Sequence, residues 1–280
     1  MMSQAEVPSL YGGAANRRVR TRDLIAAKER GEKWPMLTSY DQYTAAVFDQ
    51  AGIPVLLVGD SAANNVFGYE TTVPVTADDL LPLVRAVVRA TSRALVIGDL
   101  PFGSYEEGPA QALRTAVRFM KEGGCHAVKL EGGRRIAAQI EAITGAGIPV
   151  FAHVGFTPQR EFGIGGYRVQ GRGDAAEEVV ADAHAVYEAG ASAIVLEMVT
   201  GDVAKRITND LPVPTVGIGA GPDTDAQVLV WQDMAGLRTG KTPRFVKRYA
   251  DLAGALTEAT RRFAEEVRGG QFPAEEHTFR

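Results

Sequence analysis

Apolar, β-branched runs recur along this chain and end abruptly on residues that ligate, protonate or bind anions. Ile53 to Val58 leads through Gly59 into Asp60 and Ser61, and Ala94 to Ile97 leads through Gly98 into Asp99. Ala127 and Val128 lead to Lys129, Leu130 and Glu131, while Ile148 to Phe151 leads to Ala152 and His153. Ala193 to Leu196 stops at Glu197, and Pro214 to Val216 opens onto the glycine-rich run Gly217 to Gly221. Continuous apolar runs read as buried parallel strands. Since α/β enzymes carry their chemistry where such strands end, these endings in register predict the floor of an active site.

Between the strands the period changes to that of helices. A first strand over Pro35 to Thr38 ends at Ser39-Tyr40-Asp41, and a helix from about Gln42 to Ala51 stops at Gly52, as a C-terminal glycine stops one. Thr76 with Asp79 three residues later forms a capping-box pattern, and Leu80, Leu83, Val84, Val87 and Val88 follow at helical spacing. A long helix over about Gly108 to Glu122 is expected to pack through Leu113, Val117 and Met120 and to end at Gly123-Gly124. Further helices are predicted near Arg134 to Thr144, Ala175 to Glu188 and Val203 to Asn209, with an extended glycine-rich loop over Gly155 to Gly173. An eighth strand falls at about Gln227 to Trp231, and Phe245 to Val267 supplies one or two closing helices.

Strict alternation of strand and helix predicts a parallel sheet. Eight strands with connections of this length predict an α/β fold of the (β/α)8 TIM-barrel type, in a single domain over residues 21–280. Residues 1–20 read as a flexible N-terminal arm, frayed or ordered by a neighbouring subunit. No GxGxxG follows the first strand, so nothing supports a dinucleotide fold. The 280 residues match the roughly 250 that such a barrel needs.

Composition narrows the partners. A formal charge of −4 gives no basic footprint for nucleic acid, and no run reaches the roughly 18 to 20 apolar residues of a membrane span. The start lacks the apolar centre of a signal peptide. Cys125 is the one cysteine, which excludes an intrachain disulfide and fits a reducing cytoplasm. It precedes the fourth strand, away from the carboxylates, and reads as inert and buried.

Asp60, Asp99 and Glu131 end three consecutive strands and therefore neighbour one another around a barrel rim. Three hard oxygen donors without imidazole or thiolate suit Mg²⁺ and disfavour zinc. Lys129 shares a strand face with Glu131, two residues on; it either balances the carboxylates as an ion pair or binds a substrate carboxylate. His153 is placed to donate a hydrogen bond to a carbonyl or carboxylate. Glu197, after four apolar residues, is the expected general base, because apolar surroundings favour its protonated form. The glycines of Gly217 to Gly221 read as room for close ligand approach more than as a phosphate cradle.

These residues resemble the ketopantoate hydroxymethyltransferase family. The resemblance runs from Leu37-Thr-Ser-Tyr-Asp41 to Glu275-Glu-His-Thr-Phe279. It includes Val58-Gly-Asp-Ser61, Val128-Lys-Leu-Glu-Gly-Gly133, Gly155-Phe-Thr-Pro-Gln159 and Gly166-Tyr-Arg-Val-Gln-Gly-Arg-Gly-Asp174. It implies a barrel that moves a one-carbon unit from 5,10-methylenetetrahydrofolate to 3-methyl-2-oxobutanoate, through an enolate stabilised by Mg²⁺. By the same resemblance Asp60, Asp99 and Glu131 surround the metal directly or through water, and Asp60, Ser61, Asp99, Lys129 and His153 hold the keto acid. Glu197 is then the base, and the enzyme is a homo-oligomer, commonly a decamer. The sequence departs from the family's usual residues at Ala62 to Asn65, Gly98, Arg160 to Ile164 and Asp225-Ala226. The rival reading is a Mg²⁺-dependent lyase or mutase of the phosphoenolpyruvate mutase and isocitrate lyase group. Its lyases employ a mobile-loop cysteine, which Cys125 is badly placed to supply.

Overall fold

A computed structural model describes residues 9–10 and 17–279, so most of the expected 1–20 arm lies outside the described residues. The chain divides into two compact units, Met1–Leu229 and Val230–Arg280. The first contains a closed barrel of eight parallel strands in chain order. These are β1 Trp34–Thr38, β2 Val55–Val58, β3 Leu95–Asp99, β4 Ala127–Glu131, β5 Val150–Gly155, β6 Ala193–Glu197, β7 Thr215–Ile218 and β8 Ala226–Leu229. Pairing of β1 with β8 closes the cylinder, with Met36 beside Val228. The (β/α)8 architecture read from the alternation is the one observed.

Strand parity builds the interior. Leu57, Ile97, Ala127, Phe151, Val195 and Val216 belong to one buried cluster inside the barrel. Phe151 is fully buried, so truncating it to alanine would cost about 3–5 kcal/mol. Leu10, Val19, Leu24 and Ala27 join the same cluster, the last two from the helix Thr21–Glu29. Arg18 fixes the segment before that helix by donating to the carbonyls of Thr91 and Ala94.

Most helices form where the pattern places them. Asp41 caps Gln42–Gln50 by accepting from the backbone N–H of Tyr43 and Thr44. Thr76 and Asp79 close the expected capping box at Ala77–Ala90. Three expectations are corrected. The helix Pro109–Arg118 continues as a π-helical turn, Phe119–Gly123, and buries Ala112, Thr115, Ala116 and Phe119. Leu113 and Met120 are only half-buried and Val117 is exposed, because the helix packs chiefly on the neighbouring helix Ala137–Gly145 through its small residues. The loop after β5 contains a 3₁₀ turn, Pro158–Arg160, and a short helix, Glu161–Ile164. Strand β8 ends at Leu229, two residues short of the expected Trp231, which instead opens a one-turn helix.

Within the second unit the principal element is the helix Leu252–Arg268, which has no buried residue and exposes Leu256, Phe263 and Val267. No helix among the described residues is long and apolar enough to cross a membrane.

Candidate active site

The inward parity of the barrel extends one step beyond its apolar layers. Asp99 follows Ile97 by two residues, Lys129 and Glu131 follow Ala127, His153 follows Phe151, and Glu197 follows Val195. Because side chains alternate across a strand, each of these polar groups points to the inner side at the carboxyl end. Register then sets neighbours. Asp99 pairs with Lys129 across β3 and β4, Glu131 with His153 across β4 and β5, and Gly155 with Glu197 across β5 and β6.

A continuous charged chain results. Lys129 Nζ donates to both oxygens of Asp99 at 2.8 Å and lies 3.6 Å from Glu131 Oε1. His153 sits between two carboxylates, with Nδ1 3.2 Å from Glu131 Oε1 and Nε2 3.3 Å from Glu197 Oε2. Asp99, Lys129, Glu131 and His153 are all buried, whereas Glu197 retains 16% of its side-chain surface and forms the open end. Glu197 therefore has an imidazole for a neighbour, where sequence alone predicted an apolar slot.

Asp60 and Ser61 enter by another route, since both lie beyond the end of β2. The Asp60 backbone N–H donates to Asp99 Oδ2 at 3.1 Å. A Cβ on Gly59 would lie 2.7 Å from Ser61 Oγ, so a side chain there would displace the serine hydroxyl. Ser61 Oγ is 2.8 Å from the hydroxyl of Tyr40. Burial, reinforced by Asp60 and Asp99, pushes that phenol up to about 12.

The charges shift one another in consistent directions. Burial and then the carboxylates of Asp99 and Glu131 raise Asp60 well above the usual range. Burial also raises Asp99, against the opposing ammonium of Lys129. Glu131 is lowered despite burial, chiefly by His153 and Lys129. Burial and Lys129 act to lower His153, yet Glu131 and Glu197 outweigh them and bring it to about 9. Lys129 is likewise raised in spite of burial, by Asp99, Glu131 and Asp60. The raised Asp60 and Asp99 carboxyls mark a buried site short of positive charge, which a divalent cation would supply.

Among the described residues no group of three or more His, Cys, Asp or Glu side chains is arranged to hold a metal ion by itself. Asp99 is committed to Lys129, and Glu131 Oε2 accepts from the backbone of Gln159 at 3.0 Å. The donor set fits Mg²⁺, which commonly takes one or two carboxylates and completes its shell with water or substrate oxygens.

Two groups near these carboxylates lack a counterpart in the sequence reading. Gln159 Nε2 donates to Asp60 Oδ2, and the Tyr105 hydroxyl meets Gln159 Oε1. Gln159 lies inside a motif that carries the family resemblance, whereas no sequence signal marks Tyr105. The glycine-rich run gains a different explanation. A Cβ on Gly217 would lie 2.6 Å from Thr224 Oγ1, so internal packing requires that glycine. Cys125 is buried, and burial raises its thiol to about 12.

Comparison with known proteins agrees with this geometry. The family model described as ketopantoate hydroxymethyltransferase matches residues 18–275. A 3-methyl-2-oxobutanoate hydroxymethyltransferase of Saccharopolyspora erythraea is 68% identical over 275 residues, covering 98% of this chain and 94% of that protein. One from Thermobifida fusca is 62% identical over 280 residues, covering 100% of both. Among solved structures, a 2,3-dimethylmalate lyase superposes with a TM-score of 0.60 at 20% identity, over 93% of this chain and 92% of that one. A phosphonopyruvate hydrolase in complex with oxalate and Mg²⁺ gives 0.58 at 18% identity, over 92% of each. At such identities these two establish the shared barrel alone.

Proposed function

Since the chain belongs to the ketopantoate hydroxymethyltransferase family, we propose that it transfers a hydroxymethyl group from 5,10-methylenetetrahydrofolate to 3-methyl-2-oxobutanoate. The product is 2-dehydropantoate, a precursor in pantothenate biosynthesis. The observation that carries this reading is the unbroken polar chain from Asp99 through Lys129, Glu131 and His153 to Glu197. It supplies charge compensation at one end and a partly open carboxylate at the other.

Asp60 and Asp99 would hold Mg²⁺, with Glu131 at one remove behind Lys129 and His153. When bound, the ion supplies Lewis-acid polarisation of the 2-oxo group. Lys129 and Ser61 would bind the substrate carboxylate, with Tyr40 orienting the serine hydroxyl. Glu197 would take the proton from C3, the carbon made acidic by the neighbouring carbonyl. His153, within 3.3 Å of both Glu131 and Glu197, would keep that carboxylate aimed inward and balance its charge. Burial of Asp60, Asp99, Lys129, Glu131 and His153 excludes water from the charged wall and strengthens its field.

The lyase reading would need an acid that Cys125 does not supply, given its burial and raised thiol. Cytoplasmic location and assembly into a homo-oligomer, commonly a decamer in the resemblance, belong to the same proposal. The exposed Leu256, Phe263 and Val267 on one helix support burial of that face against another surface.

The test is exchange of the C3 hydrogen of the keto acid for deuterium, with and without Mg²⁺ and tetrahydrofolate. Mg²⁺-dependent exchange, followed by product formation only when the methylene donor is added, is the expected result. Failure to exchange would overturn the proposal.

A further inference from the structure

Gln159 hydrogen-bonds two carboxylates of the cluster although the reaction itself does not require it. It lies in the 3₁₀ turn Pro158–Arg160, directly after β5, and is buried at 3% exposure. Its backbone N–H donates to Glu131 Oε2 at 3.0 Å. Its side-chain Nε2 donates to Asp60 Oδ2 and to the carbonyl of Leu100, both at 3.0 Å. Its Oε1 faces the Tyr105 hydroxyl at 2.6 Å.

Donor and acceptor accounting permits one arrangement. An amide nitrogen has two hydrogens and no acceptor capacity, and one of them is taken by the Leu100 carbonyl, which can only accept. The amide oxygen must therefore face Tyr105, whose single O–H has Gln159 Oε1 at 2.6 Å and the Glu131 carbonyl at 3.2 Å as acceptors and favours the nearer. The same phenol oxygen accepts from the backbone N–H of Glu131 at 3.3 Å. Tyr105 is itself buried, so the amide has no alternative partner in water. A flipped amide would set Oε1 against the Leu100 carbonyl, acceptor against acceptor, and is excluded.

Resting on the proposed metal site, we propose that Gln159, locked by Tyr105, is the positioning residue that orients Asp60 and Glu131 for a divalent cation. It ties together loops after β2, β3 and β5, and it occupies one oxygen of Asp60 so that the other is presented to the ion. Groups of this kind typically alter metal affinity by about 10–100-fold when removed.

The test titrates Mn²⁺ into metal-stripped full-length protein and reads the bound ion by electron paramagnetic resonance. Thermal midpoints are recorded in parallel. Wild type, Gln159→Leu and Tyr105→Phe are compared. Gln159→Leu is expected to weaken Mn²⁺ binding roughly 10–100-fold. Tyr105→Phe, which removes only the lock on the amide, should weaken it by about 5-fold, the size of one neutral hydrogen bond. Should Gln159→Leu not fold, Tyr105→Phe decides alone, because it keeps the ring that fills the site. A merely structural role would lower the thermal midpoint and leave the Mn²⁺ affinity of the folded variants unchanged, and that result overturns the inference. A wild-type protein that binds no Mn²⁺ would sink the metal reading and this inference with it.

Discussion

Gly155 stands opposite Glu197 across β5 and β6, and the strand can pass that close only because position 155 has no side chain. A Cβ on Gly155 would lie 2.4 Å from the Glu197 carbonyl oxygen, a backbone atom that cannot swing away. Its φ of 96° is also a conformation that L side chains rarely adopt. The next residue, Phe156, donates its N–H to that carbonyl at 2.8 Å.

Gly155→Ala is therefore expected to displace Glu197 and to lower turnover at least as far as loss of a precisely aimed base does, about 100-fold. It should also depress the thermal midpoint. Steady-state kinetics of the folded variant check this, and wild-type turnover would show that the close approach does not position the glutamate.

Glu197→Gln keeps the shape of the side chain and removes its basicity. Turnover should fall by about 10²–10⁴-fold, the usual contribution of a general base, while calorimetry still detects keto acid binding. Deuterium exchange at C3 should fall in parallel. Unchanged turnover would defeat the assignment.

Gly98 faces out of the barrel, where a Cβ would meet Phe119 Cδ1 at 2.6 Å and Cys125 Sγ at 3.3 Å. The Phe119 ring fills the space that a methyl group at position 98 would need. Gly98→Ala should cost about 1–3 kcal/mol through overpacking, read as a lower denaturation midpoint. Adding Phe119→Leu should recover part of the loss, because the two positions share one volume.

Asp49 binds the turn before β3, accepting from the backbone N–H of Ser92 at 2.8 Å, Arg93 at 3.1 Å and Ala94 at 2.6 Å. Burial acts to raise its carboxyl, but these N–H donors hold it below the usual value. A folded-state value below the unfolded one, near 3.9, gives stability that is present above that pH and lost as pH falls through the folded value. The side chain is partly exposed, so its contribution is discounted for solvent screening to about 1 kcal/mol. Asp49→Asn should lower the midpoint at pH 7 and flatten its decline as pH falls below about 4; equal pH profiles would refute this.

Much of the site was legible because a strand has a period of two. Once the apolar runs are read as buried parallel strands, Asp99, Lys129, Glu131, His153 and Glu197 must all lie at carboxyl ends, and Lys129 must share a face with Glu131. Helix starts were legible for the same local reason: Asp41 and Thr76 satisfy N–H groups within three residues of themselves.

What escaped was whatever depends on distance through space. The buried side of Pro109–Arg118 follows from its packing on the helix Ala137–Gly145, so the small residues are covered and Val117 is not. Gln159 and Tyr105 are 54 positions apart, and their bond has no periodic signature.

Sequence alone determined the strand order, the barrel class and the family, because hydrophobic period and motif are properties of short stretches of chain. Only the tertiary structure decided which charges compensate which, that His153 joins Glu131 to Glu197, and that Gln159 holds Asp60. Those relations depend on interstrand register and loop closure, which arise when eight separate strands settle side by side.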